Sequence, residues 1–215
     1  MWGPADAIIA VVPAGGAAPK DGKWEIVVFD DETPNAFALP GGKIGVHTGM
    51  LEVATTAGQL AAVLGHEVGH VLLRHGNERL SQSAAAQSIL EAGSAAASIK
   101  LPEYQDAIVG GLGVGAQYGV LLPFSRKHES EADMVGQRFM AEAGFNPAEA
   151  VKLWQKMLEA SEGKAPPQWM STHPANSTRI ESLKASLPEA KELYRKARSK
   201  GKNPRCVPPP PKSKR

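Results

Sequence analysis

Residues 24–29, Trp-Glu-Ile-Val-Val-Phe, form a short and nearly unbroken apolar run, the pattern of a buried strand. Asp30-Asp31-Glu32-Thr33-Pro34 is turn sequence. Asn35 to Leu39 alternates loosely, Pro40-Gly41-Gly42 is a strong turn signal, and Lys43 to His47 reads as a second strand, so 35–47 is an expected hairpin. From Thr56 to His75 the apolar period becomes helical, and an Ala/Ser-rich helical stretch follows from Arg79 to about Lys100. Pro102 opens a third helix, Pro123 interrupts it, and Ser125 is placed to cap a helix from Arg126 to about Ala143. Gly144-Phe145-Asn146-Pro147 stops that helix and starts an amphipathic one over 147–161. Gly163 to Pro167 is a loop, and residues 176–198 are helical again. The pattern predicts an α+β fold, mostly helical with a small N-terminal β-sheet or hairpin. Residues 1–200 read as one domain; 201–215, with Pro204 and Pro208 to Pro211, read as an extended or disordered tail.

Composition narrows the class without deciding it. With 215 residues, 42 % of them hydrophobic and 21 % charged, the chain is neither wholesale disordered, collagenous nor a polytopic membrane protein. Cys206 is the only cysteine, which excludes an intrachain disulfide and a Cys-rich zinc module. The net charge of +2 hides an asymmetry: residues 195–215 carry nine basic side chains and no acid, so the body is acidic. Such a tail suits contact with an anionic lipid surface or a solvated terminus; it predicts no nucleic-acid partner. Ala7 to Val12 is too short for a signal-peptide core and follows Asp6, so the chain reads as cytosolic or as a trimmed mature fragment. Ala107 to Phe124 lacks charge over 18 residues but holds five glycines. It falls short of the roughly 20 apolar residues of a spanning helix and reads as buried or partner-facing.

The candidate chemistry begins at His66-Glu67-Val68-Gly69-His70, inside the first long helical pattern. Two residues four apart fall about 40° from each other on a helix, so both imidazoles can face one zinc ion. Glu67, one step round, lies beside the metal, where it can take a proton from water and pass it to a leaving amine. A third protein ligand is needed. Leu73 and Gly76 occupy the positions where a metzincin has Gly and His, and His75 is about 140° round the helix from His70, off the ligand face. A carboxylate on a later helix is the other solution. In Ser125-Arg126-Lys127-His128-Glu129-Ser130-Glu131-Ala132-Asp133, Glu129 offers a ligand, and Asp133 on the same face can fix a ligating histidine's tautomer. Glu131 should face away, and His128 should point about 100° from Glu129. The segment also fits an acidic surface helix; the histidine pair favours the ligand reading. Gly65 and Gly69, each costing about 1 kcal/mol in a helix, suggest close approach of a neighbouring backbone. His47 is read as a strand end. Trp24, Trp154 and Trp169 are read as core or rim anchors, and Trp2 as part of a loose end.

These segments, together with Asn35-Ala36-Phe37-Ala38-Leu39-Pro40-Gly41-Gly42 and Ser171-Thr172-His173-Pro174 with Arg179-Ile180, resemble the zinc metallopeptidases related to HtpX, Oma-type proteases and the CAAX prenyl endopeptidases. The resemblance spans about residues 20–190 and is greatest to compact bacterial envelope peptidases of the LoiP and BepA type. It implies a zincin-like domain and one Zn²⁺ per chain, held by His66, His70 and Glu129. It makes Glu67 the general base, Asp133 a support to a ligating histidine, and His173 a neighbour of the zinc that stabilises the oxyanion or serves as a removable fourth ligand. Arg179 is placed to anchor that loop by ion pairing. The resemblance also implies unfolded or misfolded protein substrates and a periplasmic or membrane-associated place in the cell envelope. The chain departs from the family's membrane-embedded members in lacking clear spanning helices, and from BepA-type proteins in lacking a C-terminal repeat array.

An endopeptidase must hold an extended peptide, and an exposed strand edge does so through main-chain hydrogen bonds. Asn35, Ala36, Phe37 and Ala38 are the candidate edge, although an ordinary hairpin also fits. The expected activity is a zinc-dependent endopeptidase. Its rivals are a zinc-binding chaperone or adaptor with latent or no proteolysis, and a metal-free helical scaffold at a membrane surface.

Overall fold

The computed structural model describes residues 3–100, 125–161 and 168–204. The order is α1 (Gly3–Ile9), β1 (Glu25–Phe29), β2 (Ala36–Leu39), β3 (Lys43–His47), α2 (Met50–Val53), α3 (Ala57–Leu72), α4 (His75–Lys100), α5 (Arg126–Glu142), α6 (Ala148–Ser161), α7 (Gln168–Thr172) and α8 (Ser177–Ser199). The fold is α+β and mostly helical, as the pattern predicts.

The sheet has the order β1-β3-β2. The 35–47 hairpin forms, with β2 antiparallel to β3 from Ala36↔Val46 to Leu39↔Lys43. Its turn uses Gly41 and Gly42 at φ of 90° and 83°, conformations that suit glycine. β1 pairs parallel with β3 from Glu25↔Lys43 to Phe29↔His47, which makes it an edge. The expected buried strand is therefore only half right: Val27, Val28 and Phe29 are each about 41–42 % exposed. An apolar run does not say how many of a strand's sides are covered. β2 is the other edge of the sheet among the described residues.

Helix α3 is the spine. Thr56 caps it by accepting a hydrogen bond from Gln59 N, and nearly every residue from Ala61 to Val71 is buried. α1, β2, α5 and α6 all pack on it, and α8 packs on α5 and α6. The α1 helix, unforeseen in the sequence, buries Ile8 and Ala5. The core gathers Leu64 and Val68 of α3, Met140 of α5, Leu153 and Trp154 of α6 and Leu183 of α8.

The α3–α5 contact is unusually close. A Cβ at Gly65 would stand 2.8 Å from Gly136 O, one at Gly69 3.1 Å from Ala132 O, and one at Gly136 2.7 Å from His66 N. The two mid-helix glycines of α3 thus have the packing role expected of them.

The single helix expected over 56–75 is broken. α3 ends at Leu72, Arg74 takes a left-handed φ of 59°, and α4 starts at His75 rather than Arg79. Nothing in the apolar period marks this break, because the next helix resumes at once. α8 closes on Gly201, φ 81°, with Lys202 N donating to Ala197 O at 3.1 Å. The expected helix from Pro102, the uncharged stretch 107–124, the 163–167 loop, Trp2 and the tail beyond Pro204 lie outside the described residues, the loop in full and the rest as numbered. No helix among the described residues is long and apolar enough to cross a membrane.

Candidate active site

His66 and His70 occupy successive turns of α3 with their Nε2 atoms 3.0 Å apart. Ser125 caps α5 by accepting from His128 N, which fixes the first turn that carries Glu129. Glu129 Oε1 lies 3.3 Å from His70 Nε2, and Oε2 lies 3.5 Å from His66 Nε2. His173, just past α7, brings its Nδ1 to 3.1 Å from His66 Nε2 and 3.0 Å from Glu129 Oε1. All four side chains are buried, and their donor atoms fall within 4.8 Å of one another.

This set fits a divalent cation better than a hydrogen-bond cluster. Donors about 2.0–2.1 Å from a tetrahedral ion stand roughly 3.3 Å apart, close to the spacings here. An imidazole nitrogen carries at most one proton, yet His66 Nε2 faces His70, His173 and Glu129 together. Glu129 Oε2 makes no aligned hydrogen bond, although Arg179 Nη1 is 2.6 Å away. Three nitrogens and a carboxylate oxygen are borderline ligands of the kind zinc takes.

The surroundings orient the donors. Asp133 Oδ1 is 2.9 Å from His66 Nδ1, the arrangement that holds Nε2 toward the ion. Arg179 donates through Nε and Nη2 to the two oxygens of Asp133 at 2.7 and 2.8 Å, and through Nη1 to Pro174 O at 3.0 Å. Its guanidinium lies 3.5 Å over the Trp154 ring. One buried cation therefore ties Asp133, Glu129 and the His173-Pro174 loop together. Asn176 caps α8 on Arg179 N, which sets that residue's position.

Without the ion, the charges settle unevenly. Burial works against a charge on His66, but Glu129 and the hydrogen bond to Asp133 outweigh it and push its pKa up to about 9. Burial drives His70 down to about 3. Burial also opposes ionisation of Glu129 and Asp133. His66 holds Glu129 below the ordinary carboxylate range regardless, and Arg179 does the same for Asp133.

Glu67 is brought beside the donors. Trp169 Nε1 donates to its Oε1 at 2.8 Å, and His173 Nε2 is 3.6 Å from the same oxygen. The sequence marks Trp169 only as an anchor. It is that too, stacked on Trp154 at 5.3 Å, but the indole N–H is what aims the carboxylate. The cleft over Glu67, about 610 Å³, is lined on one side by Asn35, Ala36, Phe37 and Ala38.

Two neighbours that stay outside the donor set, as expected, nonetheless make contacts that the helical wheel does not show. His75 is not among the four donors, but the left-handed turn at Arg74 brings it back against His70, Nδ1 to Nδ1 at 3.0 Å. A wheel drawn through one unbroken helix cannot show this. Glu131 does face away from the donors, yet it reaches His75 Nε2 at 3.2 Å. His128 is buried, stacks on His75 at 4.3 Å and lies 3.2 Å from Glu78 Oε2. His47 sits at the end of β3 with Nδ1 3.2 Å from Thr33 O, away from the centre.

Comparison with known proteins adds an independent line. The family model "Peptidase family M48" matches residues 6–187. The chain is 42 % identical over 173 residues to the mitochondrial metalloendopeptidase OMA1 of Schizosaccharomyces pombe, covering 80 % of this chain and 49 % of the relative. The Saccharomyces cerevisiae protein of the same name is 35 % identical over 182 residues, with the same coverage. The beta-barrel assembly-enhancing protease of Escherichia coli K12 is 29 % identical over 161 residues, covering 73 % of this chain and 33 % of the relative. The chain thus spans half or less of the length of these relatives. Since the matched span contains α3, α5 and the His173 loop with all four donors, the chain belongs to peptidase family M48, the metallopeptidase family that its motifs resemble.

Proposed function

We propose that the chain is a zinc-dependent endopeptidase that cuts extended segments of unfolded or misfolded proteins. The observation that carries this is Glu67, oriented by Trp169 at the floor of a strand-edged cleft, beside four convergent donors. His66, His70 and Glu129 would hold the zinc, with His173 beside them. Zinc bound there would supply Lewis acidity toward the scissile carbonyl and the attacking water. Glu67 accepts that water's proton and returns it to the leaving amine. His173, close to both Glu67 and Glu129, stabilises charge on the tetrahedral carbon's oxygen. β2 binds the substrate main chain as an added strand, which favours loose sequence specificity. Relatives named as metalloendopeptidases and as a protease support the activity. The proposed place of action is the periplasm or another membrane surface of the cell envelope. The motifs' resemblance to envelope peptidases supports this, as do the nine basic residues of 195–215, suited to anionic lipid.

The test is Glu67→Gln in zinc-loaded protein. Zinc content, read by plasma emission, should hold near one per chain while casein cleavage falls at least about 100-fold. A variant that digests casein as fast as the parent refutes the mechanism.

One observation favours a second reading. With His173 Nδ1 3.1 Å from His66 Nε2, the fourth position is filled by the chain itself, as in a latent enzyme. Under that reading His173→Ala raises casein cleavage; under the first it lowers it.

A further inference from the structure

The cleft has a wall that the proposed mechanism leaves unused. Besides β2, the cleft is lined by the α3–α4 junction, through Val71, Arg74, Asn77 and Arg79. Apart from Glu67, His70 and His173, the ionisable side chains lining it among the described residues are Arg74 and Arg79.

Arg74 is singled out by a second observation. It is the non-glycine residue with positive φ among the described residues, at 59°. A left-handed residue at a helix end is ordinarily glycine, because a Cβ is strained there. Here the turn is needed to return His75 to His70, yet the position carries a long, exposed, cationic side chain. That side chain is not buried in the core, so packing does not account for it. Strain kept at the rim of a reaction cleft points to a ligand contact.

A peptide added to the β2 edge turns alternate side chains to the two faces of the sheet, and Arg74 and Arg79 line the same cleft as that edge. A guanidinium there meets a carboxylate with two parallel hydrogen bonds. We propose that the cleft prefers substrates with Glu or Asp flanking the scissile bond, with Arg74 reading the carboxylate and Arg79 adding positive potential. This rests on the endopeptidase reading above.

The experiment uses zinc-loaded protein of full length. Peptide mapping of digested casein first locates the cut sites. Matched quenched-fluorescence peptides then carry Glu, Gln or Lys at the residues next to the bond. Wild type should cut the best Glu peptide with kcat/KM about five-fold above its Lys counterpart, the difference falling in KM. Arg74→Gly, which installs the residue that this φ favours, should bring the ratio near one, and Arg74→Glu should invert it. Equal cutting of Glu and Lys peptides by wild type, or a ratio that Arg74→Gly leaves in place, overturns the inference while leaving the endopeptidase standing. Wild type and His173→Ala that both cut neither casein nor any peptide overturn both.

Discussion

His75 shows how a side chain outside the donor set can govern it. Its Nδ1 faces His70 Nδ1 and its Nε2 faces Glu131, so it fixes which His70 nitrogen meets the ion. His75→Leu should weaken zinc binding about 10- to 100-fold in a chelator competition, with circular dichroism unchanged. Protonation gives a second prediction at this scale. In the metal-free chain His66 has a raised pKa, so its contribution to stability is complete below the unfolded value of about 6.5 and fades as pH rises through about 9. His70 is depressed, so its contribution is complete above about 6.5 and is lost as pH falls toward about 3. With EDTA present, Tm should therefore peak near pH 6–7 and decline on both sides. A monotonic profile between pH 4 and 10 contradicts these assignments.

At the scale of elements, the α3–α5 seam makes a contrasting pair of predictions. Gly65→Ala puts a methyl 2.8 Å from Gly136 O, so the helices must part, at about 1–3 kcal/mol in urea unfolding. Gly76 is helical and meets nothing within 4 Å, so Gly76→Ala should stabilise by about 0.5–1 kcal/mol. The spacing of such elements was largely legible in the chain. The His66–His70 interval, the Ser125 cap, the Gly65–Gly69 interval and the Pro40-Gly41-Gly42 turn are local signals, each read within one element. What escaped depends on neighbours. The exposure of β1 follows from its edge position, and the aim of Glu67 follows from an indole 102 residues away. The contact of His75 with His70 depends on one left-handed residue, which is invisible to a helical period.

For the molecule as a whole, Arg179 is the strongest single tie. It is 1 % exposed and touches Asp133, Glu129, Pro174 and Trp154, so it joins α5, α6, α8 and the His173 loop. Arg179→Ala removes the buried cation shared by two buried carboxylates and should cost about 3–5 kcal/mol in chemical unfolding. Arg179→Lys should recover little, because an ammonium cannot make the paired contacts. A divalent ion held by the four donors would act over the same span: free ion at about 1,000 times Kd would add roughly 4 kcal/mol, so a chelator should lower Tm by several degrees.

The glycine–alanine seam has one more consequence. Because main chain rests on main chain there, the separation of the histidine-bearing and carboxylate-bearing helices is settled during folding and not by the ion. Hydrogen exchange should then find the amides of Ala61–Val71 and Ala132–Met140 equally protected before and after zinc is loaded. The response to loading should be confined to the few residues around His173, which alone among the donors rides on no long helix.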